Sequence, residues 1–216
     1  MKVLIGTTNP SKVKRFEQLL DGYNIEFITL HDLNITQEPE EEGNNPEENA
    51  EIKAKYYGQF FDKVICNDSG LYFDELSLED LRQPGLNIRT PKGNHRLNDE
   101  EMISYYSELI HSLGGQVVAY YWDGIAVFNQ GKIHTYMANA EEIKKNSSFY
   151  MIDTPSEQRH AGWPLDSISL NKNTRTYFVE TGNENYTDTE EHIIVGEYQK
   201  ELVIFLKNAL GINVSK

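Results

Sequence analysis

Short apolar runs and helix-like stripes alternate along the first third of the chain. From Val13 to Leu20 the apolar residues recur at helical spacing. Asn-Pro pairs at positions 9–10 and 45–46 are typical of helix starts, because Asn caps free N–H groups and Pro suits the first helical position. The pattern predicts strands over 2–7, 25–30 and 64–66 and helices over 10–20 and 46–61.

The rest of the chain adds a hairpin and two further helices. The predicted elements are a loop over 77–94, a helix over 98–113, strands over 116–128, 132–138 and 175–180, a polar exposed segment over 183–191 and a helix over 198–210. Early strand–helix alternation followed by a hairpin predicts an α/β fold with a central mixed β-sheet flanked by helices. No linker interrupts the chain, so residues 1–216 are predicted to form a single domain.

Composition narrows the classes of function. A net charge of -14 on 216 residues argues against nucleic acid polymers and anionic membranes as partners. No apolar run approaches the roughly 18–20 residues that span a bilayer. The one cysteine, Cys66, precludes an intrachain disulfide and fits a cytoplasmic protein. Cys66 follows two apolar residues, which favours a buried strand position over a reactive thiol.

A first candidate for chemistry is the junction between the first strand and the first helix. A helix N-terminus presents free N–H groups and a positive dipole end, which together bind phosphate. Thr8, Asn9 and Ser11 add short polar side chains there, and Lys12 adds a cation. The alternative is a plain helix cap with solvated lysines.

A second candidate combines the acidic run Glu40–Glu42 with Asp68. Mg²⁺ prefers carboxylate and phosphate oxygens, so one Glu and one Asp from separate segments form a sufficient protein site. A further carboxylate there could activate a water molecule. Asp68 follows an apolar run and is predicted to end a strand, where α/β sheets bind ligands. The alternative for the acidic run is a solvated turn.

A third candidate is the pair Asn49 and Lys53. They are four residues apart in the predicted second helix, so they share one face of it. The apolar neighbours Ile52 and Tyr56 shield Lys53 in part, and a shielded lysine binds phosphate more strongly than a solvated one. The alternative is an exposed lysine.

A fourth candidate is the turn Gly162–Asp166. Trp163 could wall off a nucleotide base and Asp166 could reach its polar edge. The alternative is a core Trp that anchors a loop. The six histidines lack metal-ligand spacing, and no nucleophile elbow or Cys/His pair is present.

In this order the segments resemble the inosine triphosphate pyrophosphatase family, which acts on non-standard purine nucleoside triphosphates. The matching segments are Thr7/Thr8-Asn9 to Lys12, Glu40 to Gly43, Glu48-Asn49-Ala50 with Lys53-Ala54, Asn67-Asp68-Ser69-Gly70-Leu71, Pro84-Gly85 with Arg89, and Gly162 to Asp166. The resemblance covers most of the chain and is most specific over 7–71.

The resemblance implies an elongated sheet with two lobes around a cleft, Mg²⁺-dependent hydrolysis between the α- and β-phosphates, and a homodimer. It implies that Asp68, Glu41 and Lys53 are catalytic, with Asp68 as general base and Glu41 and Asp68 as metal ligands. The substrate-binding residues that it implies are Thr8, Asn9, Lys12, Asn49, Ser69, Gly70, Trp163 and Asp166.

Three departures separate the chain from the family pattern. Asn67 replaces the first aspartate of Asp-Asp-Ser-Gly, and Trp163-Pro164-Leu165 replaces Phe-Gly-Tyr. The Ser-His-Arg motif, which binds the 6-oxo purine in the family, is missing, and 196–199 holds Gly-Glu-Tyr-Gln instead. A site without those donors loses much of its discrimination.

The main hypothesis is therefore a nucleoside triphosphate pyrophosphatase with altered base preference. The alternative is a catalytically weak nucleotide-binding or interaction protein that retains the cleft, motivated by Asn67 and the missing motif. A third possibility is an acidic α/β domain without a nucleotide role.

Overall fold

A computed structural model describes residues 1–93, 95–181 and 190–212, without the side chains of Ser11, Lys92 and 190–199. The strands are β1 (Lys2–Ile5), β2 (Glu26–Thr29), β3 (Lys63–Phe73), β4 (Gln116–Asn129), β5 (Lys132–Met137), β6 (Phe149–Ile152) and β7 (Ser169–Leu170). The α-helices are α1 (Pro10–Leu19), α2 (Pro46–Tyr57), α3 (Asp99–Ser112), α4 (Ala140–Ser147) and α5 (Glu190–Leu210). Short 3₁₀ turns occur at Pro91–Gly93 and Pro164–Ser167.

The strands of the described residues form one mixed sheet, as the sequence predicts. Its order is β2-β1-β3-β4-β6-β7, and β5 pairs with β4. β1 is parallel to β2 and β3, whereas β4 is antiparallel to β5 and β6. Parallel neighbours follow from the strand–helix alternation, and the antiparallel pair follows from the hairpin at 129–131.

The chain divides into two compact units. Unit 1 comprises 1–69, 123–138 and 196–216, and unit 2 comprises 70–122 and 139–195. β3 and β4 each contribute one end to each unit. The cleft between two lobes stays a prediction.

In unit 1 the sheet is covered on both faces. Val3, Ile5 and Ile65 pack with Phe16 of α1 and Leu206 of α5 on one face. On the other face, the small residues of α2 and its Tyr57 pack against buried residues that include Leu4, Val64, Cys66 and Ala126. Neighbouring strand residues face opposite sides, so each strand contributes to both clusters.

Cys66 is buried, which confirms its interpretation as a strand residue of the core. Burial raises the pKa of its thiol to about 12. Since the thiolate is the reactive form, this cysteine is unreactive at neutral pH.

Unit 2 is built around α3. Asn98 and Glu101 form a reciprocal capping box at its start, with hydrogen bonds of 3.0 and 2.8 Å. The buried face of α3 packs against Phe73, Val117, Phe149 and Met151 among others. No helix of the described residues is both long enough and apolar enough to cross a membrane.

Several predicted boundaries differ from the structure. The predicted strand over 175–180 is wrong: these residues form turns, and only Tyr177 bridges to Leu170. The short elements α4, β6 and β7 were not predicted, because eight, four and two residues carry little periodicity. α5 begins at Glu190, earlier than predicted, and α2 ends at Tyr57. Residues 183–189 of the predicted polar segment lie outside the described residues.

Candidate active site

Lys53 of α2 lies between two carboxylates in unit 1. Its Nζ is 2.9 Å from Glu41 Oε1 and 2.9 Å from Asp68 Oδ1. The two carboxylate oxygens are therefore no farther apart than twice that distance. The side chains of Lys53 and Asp68 are 14% and 13% exposed, whereas Glu41 is 34% exposed. The acidic run and β3 thus meet at one ammonium group.

Asn49 ties the same three segments together. Its Oδ1 accepts a hydrogen bond from the Gly43 N–H at 2.8 Å, and its Nδ2 donates to Asp68 Oδ2 at 3.0 Å. Asn49 and Lys53 share one face of α2, so Asp68 receives one hydrogen bond from each. The carboxylate of Asp68 is held on both oxygens before any ligand binds.

Two features fix the start of α2, which carries these residues. Asn45 caps the helix by accepting a hydrogen bond from the Glu48 N–H at 2.9 Å, and Pro46 opens it, as the sequence predicts. Gly124 of β4 faces this turn, and a Cβ there would overlap the main chain of Pro46 and Glu47. Only glycine permits such a close approach of strand and helix.

Lys12 of α1 is the second cation of the site. Its Nζ donates to the Asn67 carbonyl oxygen at 3.5 Å. Burial and the charge of Lys53 lower the pKa of Lys12, against the opposing effect of nearby carboxylates. For Lys53 burial also acts to lower the pKa, but Asp68 and Glu41 together raise it above its usual value. The two ammonium groups are close enough to influence each other.

The loop between β1 and α1 is exposed and locally bonded. The Thr7 hydroxyl accepts a hydrogen bond from the Asn9 N–H at 3.1 Å, and the Thr8 hydroxyl donates to Glu38 at 3.2 Å. Pro10 is the first residue of α1, as predicted. The loop therefore delivers Lys12 one turn into a helix whose N-terminus follows β1.

Asp68 does not end a strand, contrary to the sequence prediction. β3 continues through Asp68, Ser69 and Gly70 to Phe73. The buried run Leu71–Phe73 and the pairing with neighbouring strands override the low strand propensity of Asn, Asp and Gly. The strand that ends near the site is β1. It stops at Ile5, which pairs with Ile65, while β3 continues beyond that pair.

Sequence reasoning missed an ion pair beside this segment. Arg15 Nη1 of α1 lies 2.6 Å from Asp123 Oδ2 of β4, and the Ser69 side chain also bonds to Asp123. Burial acts to raise the pKa of Asp123, but Arg15 and Ser69 outweigh it and lower the pKa. The available signal was an aspartate inside the long strand predicted over 116–128.

Trp163 and Asp166 belong to unit 2. Trp163 is 45% exposed, so it is not the core anchor of the alternative interpretation. Asp166 lies 3.2 Å from His160 Nδ1, and burial raises the pKa of its carboxyl group despite that contact. Arg89 donates to the Gly162 carbonyl at 3.2 Å and thereby holds this turn.

The residues of unit 1 fit a hard metal ion of the Mg²⁺ type. No cluster of three or more His, Cys, Asp or Glu residues suited to a metal occurs in the described part of the chain. Mg²⁺ needs no such cage, because one or two carboxylates, substrate phosphates and water complete its shell. Glu41 and Asp68 are two carboxylates that could hold such an ion, and the Lys53 ammonium between them shows that this position attracts a positive charge.

A mixed sheet with helices on both faces, and a charged site in unit 1 where Lys53 joins Glu41 and Asp68, defines the class as an α/β protein with a charged candidate site. The chain belongs to the Ham1 family, whose sequence model matches residues 3–157.

Curated relatives bear the name dITP/XTP pyrophosphatase, in agreement with the resemblance seen in the motifs. The protein of Thermoanaerobacter pseudethanolicus is 39% identical over 87 residues, which covers 40% of this chain and 42% of that protein. The Bacillus subtilis protein is 33% identical over 109 residues, covering 50% and 53%. The chain thus matches about half the length of these relatives, or less.

Solved structures agree on the fold. A HAM1 protein from Coxiella burnetii superposes with a TM-score of 0.70 at 20% identity, over 97% of this chain and 100% of that one. The Ham1 protein of Staphylococcus aureus gives 0.66 at 20% identity, over 94% and 98%. At this identity the likeness establishes the fold alone.

Proposed function

We propose that this chain hydrolyses nucleoside triphosphates to the nucleoside monophosphate and pyrophosphate, with Mg²⁺ as cofactor. The observation that carries the proposal is the placement of Lys53 between Glu41 and Asp68. Lys12 adds a second cation to the same neighbourhood. Acidic ligands for a metal and cations for phosphates are the two components that a metal–triphosphate complex requires.

In this proposal Lys12 and Lys53 hold the phosphate chain, and Thr8, Asn9 and the Ser69–Gly70 segment line its path. Glu41 and Asp68 would hold Mg²⁺, which supplies charge neutralisation when bound. Asp68 takes a proton from the attacking water as that oxygen bonds to the α-phosphorus. The bond between this phosphorus and the α–β bridging oxygen breaks, and pyrophosphate leaves with that oxygen.

Asn49 is a positioning residue in this scheme. It bonds to Asp68 Oδ2 while Lys53 bonds to Oδ1, so the orientation of the base is set by α2. Positioning of a base and its water is worth orders of magnitude in rate. The ammonium of Lys53 has three N–H donors, so it can donate to a phosphate oxygen and still keep its hydrogen bond to Asp68.

The base end is proposed to differ from the family. Trp163 and Asp166 would contact the base, and non-standard purines such as those named for the relatives are the proposed substrates. Because the Ser-His-Arg motif is missing, the preference among bases is proposed to be relaxed. A homodimer in the cytoplasm completes the proposal.

Pyrophosphate release is the test. The protein is incubated with Mg²⁺ and ITP, XTP, dITP or each common nucleoside triphosphate, with and without a chelator. We expect chelator-sensitive release from at least one oxo-purine triphosphate. Thermal stabilisation by nucleotides without product would instead favour the nucleotide-binding alternative, which Asn67 motivates. If no nucleotide gives product and none stabilises the protein, both the hydrolase proposal and the nucleotide-binding alternative are refuted.

A further inference from the structure

Asn67 is an anomaly in the core of unit 1. It is 2% exposed, yet neither Oδ1 nor Nδ2 of its side chain has a hydrogen-bond partner among the described residues. A buried polar atom without a partner destabilises the folded state, and native proteins keep such atoms rarely. Within the described residues the amide therefore has capacity for hydrogen bonds to a group that is not part of the protein, such as a ligand or a water molecule.

Its position connects it with the proposed phosphate site. The Asn67 carbonyl oxygen is the acceptor for Lys12, and the next residue is Asp68. Strand alternation places Asn67 on the α1 face, with Ile65 and Ser69, while Asp68 faces α2. Lys12 of α1 contacts β3 at Asn67 and Lys53 of α2 contacts it at Asp68, so a phosphate chain held by both lysines would pass both residues.

A second asparagine shows how this fold treats an amide that has a structural role. Asn129 at the end of β4 accepts from Lys63 Nζ at 2.6 Å and donates to the Ala209 carbonyl at 2.8 Å. Both of its amide atoms are paired: Nδ2 ties the hairpin to α5, and Oδ1 ties it to the start of β3. Asn67 makes neither kind of bond, so packing alone does not account for it.

We propose that Asn67 is a substrate-binding residue whose side-chain Nδ2 donates a hydrogen bond to a phosphate oxygen of the triphosphate. Its Oδ1 accepts from a water that hydrates the same phosphate. The inference deepens the proposed function and rests on it for the identity of the ligand. The amide can donate a hydrogen bond to a phosphate oxygen, which the ionised aspartate of the family pattern cannot do.

The sharpest experiment replaces Asn67 by an apolar residue of similar size. Asn67→Leu removes two unpaired polar atoms, so we expect thermal unfolding to shift up by a few degrees. The affinity for inorganic tripolyphosphate with Mg²⁺, measured by calorimetry, should fall about tenfold, as for the loss of one hydrogen bond to a charged group. Stability and binding thus move in opposite directions.

Asn129→Leu is the matched control. It makes the same substitution at an asparagine with both amide atoms bonded, so it should lower the unfolding temperature and leave tripolyphosphate affinity unchanged. An Asn67→Leu protein with wild-type affinity for tripolyphosphate overturns the inference, whatever its stability. An Asn67→Leu protein that loses as much stability as Asn129→Leu also overturns the inference. If Asn67→Leu does not fold, Asn67→Ala is judged by the affinity criterion.

The two proposals fail in different ways. If the wild-type protein releases pyrophosphate from no nucleotide, the proposed function fails, while the tripolyphosphate titration still decides the role of Asn67. If the wild-type protein hydrolyses nucleotides but Asn67→Leu keeps both its Michaelis constant and its tripolyphosphate affinity, only the role of Asn67 fails. A wild-type protein that does not bind tripolyphosphate overturns the inference as well.

Discussion

Replacing Lys53 by methionine removes the cation that Glu41 and Asp68 share. In the native protein its ammonium is 2.9 Å from each carboxylate. Methionine preserves most of the aliphatic stem, so the change is electrostatic rather than one of volume. Two negative groups are left facing each other at a mostly buried place, and Asp68 keeps only its hydrogen bond from Asn49.

The size of the effect follows from burial. Removing one partner of a buried ion pair costs about 3–5 kcal/mol. Glu41 is a third exposed and can turn towards water, so we expect a loss of about 2–3 kcal/mol in the free energy of unfolding. For a chain of this length that lowers the unfolding temperature by about 4–12 °C.

The loss has a defined pH dependence. The folded-state pKa of Lys53 is raised, so its contribution is complete below the ordinary lysine pKa and disappears only as pH rises through the elevated value. The difference between Lys53→Met and the wild type should therefore be constant between pH 7 and pH 9, which both lie below the ordinary lysine pKa.

Thermal unfolding at pH 7 and pH 9 measures the effect, and the assay is repeated with Mg²⁺. Lys55→Met is the control, because Lys55 lies on the same helix and pairs with Glu51 at an exposed position. We also expect a higher Michaelis constant for the triphosphate in Lys53→Met alone. Equal unfolding temperatures for the two variants at pH 7 would refute the electrostatic reasoning.

Four further changes test the site. Asp68→Asn should lower pyrophosphate release at least about a hundredfold at unchanged far-UV dichroism, since it removes the proposed general base. Lys12→Met should raise the Michaelis constant about tenfold with little change in turnover. Asp123→Asn should cost about 1–3 kcal/mol in urea unfolding at pH 7. The pKa of the Asp123 carboxyl group is lowered in the fold, so the difference should shrink as pH falls below the ordinary aspartate pKa and through the lowered value, and a loss that does not change with pH would contradict the ion pair. Gly124→Ala should prevent soluble folding, because its Cβ overlaps the start of α2; a wild-type unfolding temperature would contradict this.

The elements that the sequence predicts well are those whose signals are local. The Asn45-Pro46 start of α2 and the extent of α3, predicted over 98–113 and observed at Asp99–Ser112, need only neighbouring residues. The hairpin at 129–131 is specified in the same way. The continuation of β3 through Asn-Asp-Ser-Gly could not be predicted, because it depends on pairing with distant strands and on burial of Leu71–Phe73.

The residues of the candidate site likewise divide into those with a local sequence signal and those without one. Asn49 and Lys53 follow from helical spacing, and Asp68 follows from its place after an apolar run. The pairing of Arg15 with Asp123 joins residues 108 positions apart, and no local pattern specifies it. The unpartnered amide of Asn67 is likewise visible only in three dimensions, since its sequence neighbours suggest a metal ligand or a turn.

The main-chain contact between Gly124 and the start of α2 separates architecture from chemistry. The start of the helix that presents Asn49 and Lys53 is seated by steric fit, in a main-chain contact that involves no charged side chain. Lysines and carboxylates in this corner can therefore be exchanged during divergence or by protein engineering while the scaffold keeps its shape. New substrate preferences can arise here without a new fold.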